Sequence, residues 1–342
     1  MRKGTVCKNF IILHKIFHMQ RVLKDDYIHG GTQKDLYEEK DKEACTCPLC
    51  GSDEFKQIDE ERGLGIANCL NCNLLYTNPR AVNADKNYFG ESDTFYNEAR
   101  LIFKGRKKHH RDRNYIYEVN KIRKLKPNGK LLDIGTNMGF FLRKAREAGF
   151  EVEGVEPSPS LSKIAEREWG MKIYNSFLQE LDLPEKSYDV ITMVDVFEHV
   201  INPQEMLKSC YSLLKDDGVL AIKVPNGAYN KVKMKLAKRL GKKGVMDIWD
   251  SYEHVVHYTY PTMKHLVAEH GFIVKSFFVP LPIHSPEWAR LVGHYYQYPS
   301  PFIFSWKKIL MRRLFFSKGK LERIFGRKTR YSPDLFFLLQ KA

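Results

Sequence analysis

The chain has 342 residues, 43% of them hydrophobic, and a formal net charge of +15, which suits one large core with a small satellite and excludes a wholly disordered polyelectrolyte. No apolar run approaches the roughly 18 residues a membrane-spanning helix requires, and the apolar residues 10–13 are too few for a secretory signal. Of the seven cysteines, four lie in two CxxC pairs while Cys7, Cys45 and Cys210 show no disulfide pattern, so a reducing compartment, the cytoplasm, is expected.

Residues 1–44 mix charges with scattered apolar residues and read as a poorly packed leader, within which Met19 is an alternative start. Residues 45–80 hold the paired cysteines. Cys47-Pro48-Leu49-Cys50 and Cys69-Leu70-Asn71-Cys72 give C-x2-C-x18-C-x2-C, in which each turn points two thiolates inward and two turns complete a tetrahedron around zinc with bonds of about 2.3 Å. Gly51 and Asn73, each following a second cysteine, tolerate the left-handed backbone such turns often need. Four thiolates leave no open position, so Cys47, Cys50, Cys69 and Cys72 predict a zinc ribbon with a structural Zn2+; a redox pair or an iron–sulfur site is the alternative.

Residues 81–129 read as a helical connector that becomes basic. From 130 to 342, short apolar runs alternate with amphipathic segments, the pattern of parallel strands joined by helices in an α/β domain. Strands are predicted at 130–134, 152–156, 188–194, 219–224, 272–279 and 334–340, the third buried on both faces because its apolar residues hardly alternate. Helices are predicted at 140–148, stopped by Gly149, and from Asn202, Pro203 and Glu205 to Asp217-Gly218. A basic amphipathic stretch follows at 231–240, and a last helix runs from Thr259 to His270 before Gly271. Residues 281–330 read as an insertion, being too many for a hairpin loop.

The segment LLDIGTNMG at 131–139 follows a strand and opens a helix, the context a nucleotide-type ligand requires. Gly135 and Gly139 let the backbone approach the ligand, and Glu156 ends the next strand, where a carboxylate can accept both ribose hydroxyl protons. A dinucleotide fold using NAD is the alternative, but its Gly-x-Gly-x-x-Gly turn is missing.

With VEGVEPS at 152–158, YDVITMVDVFEHVINP at 188–203, LLKDDGVLAIKVPN at 213–226 and EHVVHYTYPTMKHLVAEHGF at 253–272, the loop resembles class I S-adenosylmethionine (SAM)-dependent methyltransferases, the broad group similar to ubiquinone-biosynthesis O-methyltransferases. The resemblance covers roughly residues 90–342. It implies a Rossmann-like seven-stranded α/β fold behind a small N-terminal zinc ribbon. It also implies SAM held by Asp133, Gly135, Thr136, Asn137 and Gly139 around the methionine moiety, by Glu156 at the ribose and by Phe177 beside the adenine. Asn137 replaces a usual glycine, and Phe177 replaces the acid of many members; Asn137 can adopt the left-handed conformation and Phe177 can stack on the base.

Methyl transfer to oxygen or nitrogen needs alignment and, for a hydroxyl, a base. Asp195, Glu198 and His199 directly follow the strand at 188–194, at the sheet edge where ligands bind. His199 is the first candidate base with Glu198 beside it, His257 the second, and Asp195 is expected to face the cofactor. In relatives acting on quinone precursors, Asp195-x-x-Glu198-His199 resembles a divalent-metal site; capping of the following loop is the bland alternative.

Residues 101–130 hold eleven Lys/Arg against two acids, 301–342 repeat those counts, and 226–245 add seven basic residues and no acid. Such segments attract nucleic acid, anionic membrane surfaces or phosphorylated substrates through one long-range field. Chains with a similar front-end ribbon are associated with sugar or polysaccharide modification, so a small-molecule or glycan acceptor is expected, with the ribbon as docking or lid element. RNA methylation, for which no NPPY-type motif follows the strand at 188–194, and a non-catalytic adaptor are the rivals.

Overall fold

The computed structural model describes residues 36–82, 84, 99–106, 108–109, 111–239, 248–280, 310, 314, 317–322, 324 and 329–342. The first strands are β1 (Lys42–Glu43), β2 (Phe55–Glu61), β3 (Leu64–Cys69), β4 (Leu75–Thr77) and β5 (Arg80–Ala81). Then come α1 (Asp112–Ile122), β6 (Gly129–Ile134), α2 (Phe140–Glu147), β7 (Phe150–Val155), α3 (Pro159–Trp169), β8 (Lys172–Tyr174) and β9 (Tyr188–Val194). The chain continues through α4 (Pro203–Leu213), β10 (Leu214–Pro225), α5 (Gly227–Arg239), β11 (Val256–His257), α6 (Tyr260–Glu269), β12 (Phe272–Phe278) and β13 (Asp334–Lys341).

Seven strands form one sheet in the order β12-β13-β10-β9-β6-β7-β8. The five from β8 to β10 are parallel, and β13 and β12 close the edge antiparallel. Because the chain runs outward from β6 to β8 and then returns to β9, the carboxyl ends of β6 and β9 flank the point where strand order reverses, which is where open α/β sheets bind ligands. The apolar run in β9 is buried except at Val194.

Local signals set most boundaries. Ser158 caps α3, Pro159 is its first residue and Gly170 ends it left-handed, while Thr259 caps α6 through the Thr262 amide. The helix from Asn202 ends at Leu213, ahead of the expected Asp217-Gly218. Leu214 pairs with Tyr188, and β10 then bulges before pairing resumes at Val219; the strand partner therefore ends the helix before the Asp-Gly turn is reached.

The cysteine-bearing sheet is not an appendage. Its order is β11-β4-β3-β2, so its outer strand comes from residues 256–257, with Val256 opposite Tyr76 and His257 opposite Leu75. One apolar cluster runs from Leu49, Leu64 and Tyr76 into Phe197, Tyr252 and Tyr258. The basic helix α5 also faces this module. Lys231 Nζ reaches Asn68 at 2.8 Å, and Lys238 Nζ reaches the Ile58 carbonyl and the Asp59 carboxylate at 2.9 and 3.0 Å. The end of the expected leader packs as well: Tyr37 is buried and β1 pairs with β5.

Glu61 fastens the seam. Its carboxylate accepts the backbone N–H groups of Ile248, Trp249 and Ser251 at 2.5, 3.1 and 2.9 Å, and the Ser251 hydroxyl at 3.1 Å. Glu61→Ala would leave those buried donors without an acceptor, each at about 1–3 kcal/mol. We expect the variant to lose on the order of 3 kcal/mol in urea denaturation, with Glu61→Gln recovering part; full stability in Glu61→Ala would show that the seam does not hold the fold together.

Candidate active site

β6 delivers Asp133 to the sheet edge, and residues 135–139 then turn sharply. Gly135, Asn137 and Gly139 all have left-handed backbone, with φ of 69°, 53° and 78°, so Asn137 meets the expectation for its position. A Cβ at Gly135 would lie 2.6 Å from Val196 Cγ2, which leaves room for glycine alone. Glu156, 1% exposed, ties the turn to β7: Oε2 accepts the Asn137 amide at 2.8 Å and Oε1 the Ser158 amide at 2.9 Å. Asp133 is buried and accepts the Thr192 hydroxyl at 2.5 Å; burial pushes its carboxyl up to about 7.

The structure thus gathers Asp133, Gly135, Thr136, Asn137, Gly139 and Glu156 around one turn. Half-buried Phe177 follows β8, whose end is tied to the Glu156 and Pro157 carbonyls by the Asn175 amide at 2.9 and 3.0 Å. Left-handed glycines, a packed turn and an acid at the end of the next strand fit a nucleoside-bearing cofactor.

Asp195 has a different setting from the one expected. Its φ is 58°, and its carboxylate is paired with Arg111 and, at 3.0 Å, with buried Lys223. Burial opposes the charge, but Lys223 and Arg111 outweigh it and hold the carboxyl well below its ordinary value. Lys223 also lies 3.8 Å from fully buried Glu118, whose carboxyl burial raises to about 7. Asp195 is therefore engaged by cations from α1's start and from β10, and it does not join Glu198 and His199 in a common ligand set. Arg111 and Lys223 escaped sequence reasoning; the available signal was a lysine inside the otherwise apolar 219–224.

Glu198 and His199 do meet. They lie in a single 3-10 turn (Phe197–His199) after β9, joined by His254 from the loop before β11. The His199 and His254 Nε2 atoms each stand 4.0 Å from Glu198 Oε1, and His199 Nδ1 is 3.0 Å from the Glu253 carbonyl. That carbonyl can only accept, so it selects the Nδ1–H tautomer and leaves the Nε2 lone pair facing Glu198. Both Glu198 oxygens are buried without a hydrogen-bond partner, and burial raises the carboxyl well above its usual range. One ligand atom from each of the three residues lies within 4.8 Å of the others, so the group can share a proton or surround a cation. His254 was passed over although Glu253-His254-Val255 repeats the triplet Glu198-His199-Val200.

His257 stands apart from this group, which corrects its selection as a base. It is buried in β11, its Nε2 is 3.2 Å from the Thr77 hydroxyl, and burial pushes its pKa down to about 3. An imidazole that weakly basic is a poor proton acceptor near neutral pH. It belongs to the seam, where the Thr77 hydroxyl also donates to the His254 carbonyl at 2.7 Å.

The four cysteines converge. The Cys47–Cys72 and Cys50–Cys69 sulfur pairs are both 3.5 Å apart, near the about 3.8 Å edge of a tetrahedron with zinc–sulfur bonds of about 2.3 Å. Gly51 and Asn73 are left-handed, and their amides donate to the Cys47 and Cys69 carbonyls at 2.8 and 3.1 Å. The two turns are thus built alike, and the donor set fits one zinc ion. Gln204 on α4 donates to the Leu49 carbonyl at 3.0 Å, tying this corner to the larger sheet.

A family model described as a methyltransferase domain matches residues 108–276. That match makes residues 108–276, just under half of the chain, a methyltransferase domain. The chain is similar to an "uncharacterized methyltransferase" of Anoxybacillus flavithermus, 23% identical over 152 residues, which are 44% of this chain and 72% of that one. It is also similar to the ubiquinone biosynthesis O-methyltransferases of Glaesserella parasuis and Haemophilus ducreyi, 30% and 31% identical over 107 residues. That match covers 28% of this methyltransferase and 45% of each relative, so the chain spans under half their length. Among solved structures, SAM-dependent methyltransferases from Thermotoga maritima and Archaeoglobus fulgidus resemble it with TM-scores of 0.39 and 0.40 at 23% and 20% identity. The first covers 54% of this chain and 79% of its own, the second 73% and 95%.

The raised carboxyls give this methyltransferase a defined pH response. Asp133 and Glu118 titrate near 7 when folded and near about 4 when unfolded, so their contribution to stability is complete below pH 4 and lost as pH rises toward 7. Replacing Glu118 by Gln removes one of the two. The fall of the thermal midpoint between pH 5 and pH 8 should become shallower in that variant; an unchanged slope would mean that Glu118 is ionised throughout.

Proposed function

We propose that this methyltransferase moves the methyl group of SAM to a hydroxyl of a small-molecule or glycan acceptor, with His199 taking the hydroxyl proton. Bound SAM supplies an electrophilic methyl carbon on a sulfonium. Asp133, Gly135, Thr136, Asn137 and Gly139 hold the methionine end, Glu156 the ribose and Phe177 the adenine. The observation that carries the reading is His199: its Nδ1 meets the Glu253 carbonyl, which turns Nε2 toward the shared space at the end of β9. Asp195, fixed by Arg111 and Lys223, positions that turn. The names of the ubiquinone-pathway relatives favour oxygen as the methylated atom. Against RNA as substrate, Lys231 and Lys238 already bind the cysteine-bearing module.

His199→Ala should lower kcat at least 100-fold, as expected for loss of a general base, while SAM affinity by calorimetry stays within about twofold of the parent; equal loss of both would refute the assignment. Glu156→Ala should do the reverse and weaken SAM binding. Acceptor screening would begin with nucleotide-sugars and glycans.

The partnerless buried oxygens of Glu198 favour a second reading, a divalent cation on Glu198, His199 and His254. Activity of zinc-loaded protein would then rise with added Mg2+ or Mn2+, and His254→Ala would abolish that response.

We further infer one structural Zn2+ on Cys47, Cys50, Cys69 and Cys72. Elemental analysis should return one zinc per chain. Because Thr77 of the same module holds the Val255 carbonyl and the His254 carbonyl, stripping zinc with a chelator should lower both the thermal midpoint and activity; a zinc-free sample with unchanged melting would overturn the assignment.

A further inference from the structure

A buried hydroxyl has one proton to give, and at Thr77 two atoms stand within reach of it. The His254 carbonyl oxygen lies 2.7 Å from Thr77 Oγ, and His257 Nε2 lies 3.2 Å from it. Were the proton turned toward His257, two oxygens would face each other across 2.7 Å with no hydrogen between them. A carbonyl can only accept, so the proton goes to His254 and Thr77 Oγ is left to accept from His257. Burial keeps the His257 ring neutral, which makes it the Nε2–H tautomer.

That ring is firmly seated. It packs edge-on against Trp249, with centroids 5.0 Å apart, and Trp249 is itself buried and donates its indole N–H to Asp59 at 2.9 Å. At the start of α5, a Cβ on Gly227 would come within 2.5 Å of the His257 carbonyl oxygen. The backbone of His257 is thus closed over as tightly as its side chain.

His199 is set the other way, with its proton on Nδ1 toward the Glu253 carbonyl. The carbonyls that matter belong to successive residues. Glu253 accepts from His199, His254 accepts from the Thr77 hydroxyl, and Val255 accepts from the Thr77 amide at 3.0 Å. The His254 and Val255 amides are engaged too, by the Asp250 and Glu198 carbonyls at 2.9 and 3.0 Å. Thr77 therefore supplies two of the bonds that fix these peptide planes. A carbonyl with a fixed direction selects one tautomer of the imidazole opposite it, and one that can rotate does not.

Resting on the reading of His199 as the base, we propose that Thr77 and His257 are positioning residues for it. The run from His257 Nε2–H to Thr77 Oγ–H to the His254 carbonyl holds residues 253–255, so that the Glu253 carbonyl keeps the His199 proton on Nδ1 and leaves the Nε2 lone pair to take the acceptor's proton. His257 thus acts at two removes from the reaction, through the module that carries the cysteines.

The test is long-range 1H–15N NMR of the full-length, zinc-loaded protein with labelled histidine, at about pH 8, where an ordinary imidazole is neutral. We expect His257 as Nε2–H and His199 as Nδ1–H in the parent. Thr77→Val removes the hydroxyl at nearly constant volume; it should lose the single His199 tautomer and show both, with zinc content and SAM affinity by calorimetry retained. Thr77→Ser keeps the hydroxyl and should give the parent spectrum. His257 as Nδ1–H in the parent overturns the proposal without any variant having to fold. An unchanged His199 tautomer in Thr77→Val overturns it as well, and so does a Thr77→Ser spectrum as altered as that of Thr77→Val, which would mark position 77 as a matter of packing. Full activity in His199→Ala refutes the base itself, a separate failure that leaves these spectra unchanged.

Discussion

The pairing of β4 with β11 is the constraint on which the rest of the site depends. A three-stranded, cysteine-bearing sheet needs a partner for the outer edge of β4, and residues 256–257 supply it. That pairing fixes the preceding loop, because the Thr77 hydroxyl and amide hold the His254 and Val255 carbonyls, and the Val255 amide in turn donates to the Glu198 carbonyl at 3.0 Å. The path from the cysteines to His199 is therefore a chain of backbone hydrogen bonds. Such bonds are short and directional, so a module that looks like an ornament in the sequence can fix the position of the proposed base.

The distribution of charge follows from the same packing. A net charge of +15 suggests a polyanion partner, yet much of it is satisfied within the molecule: α5 uses lysines to grip the cysteine-bearing sheet, and Lys126 and Lys130 pair with Asp189 and Glu153 of neighbouring strands. Counting charges along a chain measures a field at long range. It does not tell which cations already have a carboxylate or carbonyl within 3 Å.

What was legible in the sequence was local. The left-handed Asn137, the thiolate pairs, the cap at Asn202, the helix start at Thr259 and the doubly buried β9 each depend on residues a few positions apart, and all were anticipated. What was not legible was long-range. The difference between His254 and His257 depends on which of them faces Glu198 across 56 residues of chain and which is buried against Thr77 across 180. Asp195 looked like a cofactor ligand until Arg111, 84 residues earlier, and Lys223, 28 later, were seen to claim it. Periodicity and motif spacing carry no information on such partners.

The same ion network sorts the two acids that follow β9. Asp195 stays ionised because Lys223 and Arg111 outweigh its burial, and its negative charge adds to the burial that raises the Glu198 carboxyl. Two carboxyl groups three residues apart are thereby driven in opposite directions, one a permanent anion and the other a group that favours its proton. A protonated Glu198 can donate to an imidazole Nε2, whereas a divalent cation in the same space would have to displace that proton first. Proton and cation therefore compete for the same oxygens, with burial favouring the proton most and the charge of Asp195 adding to it.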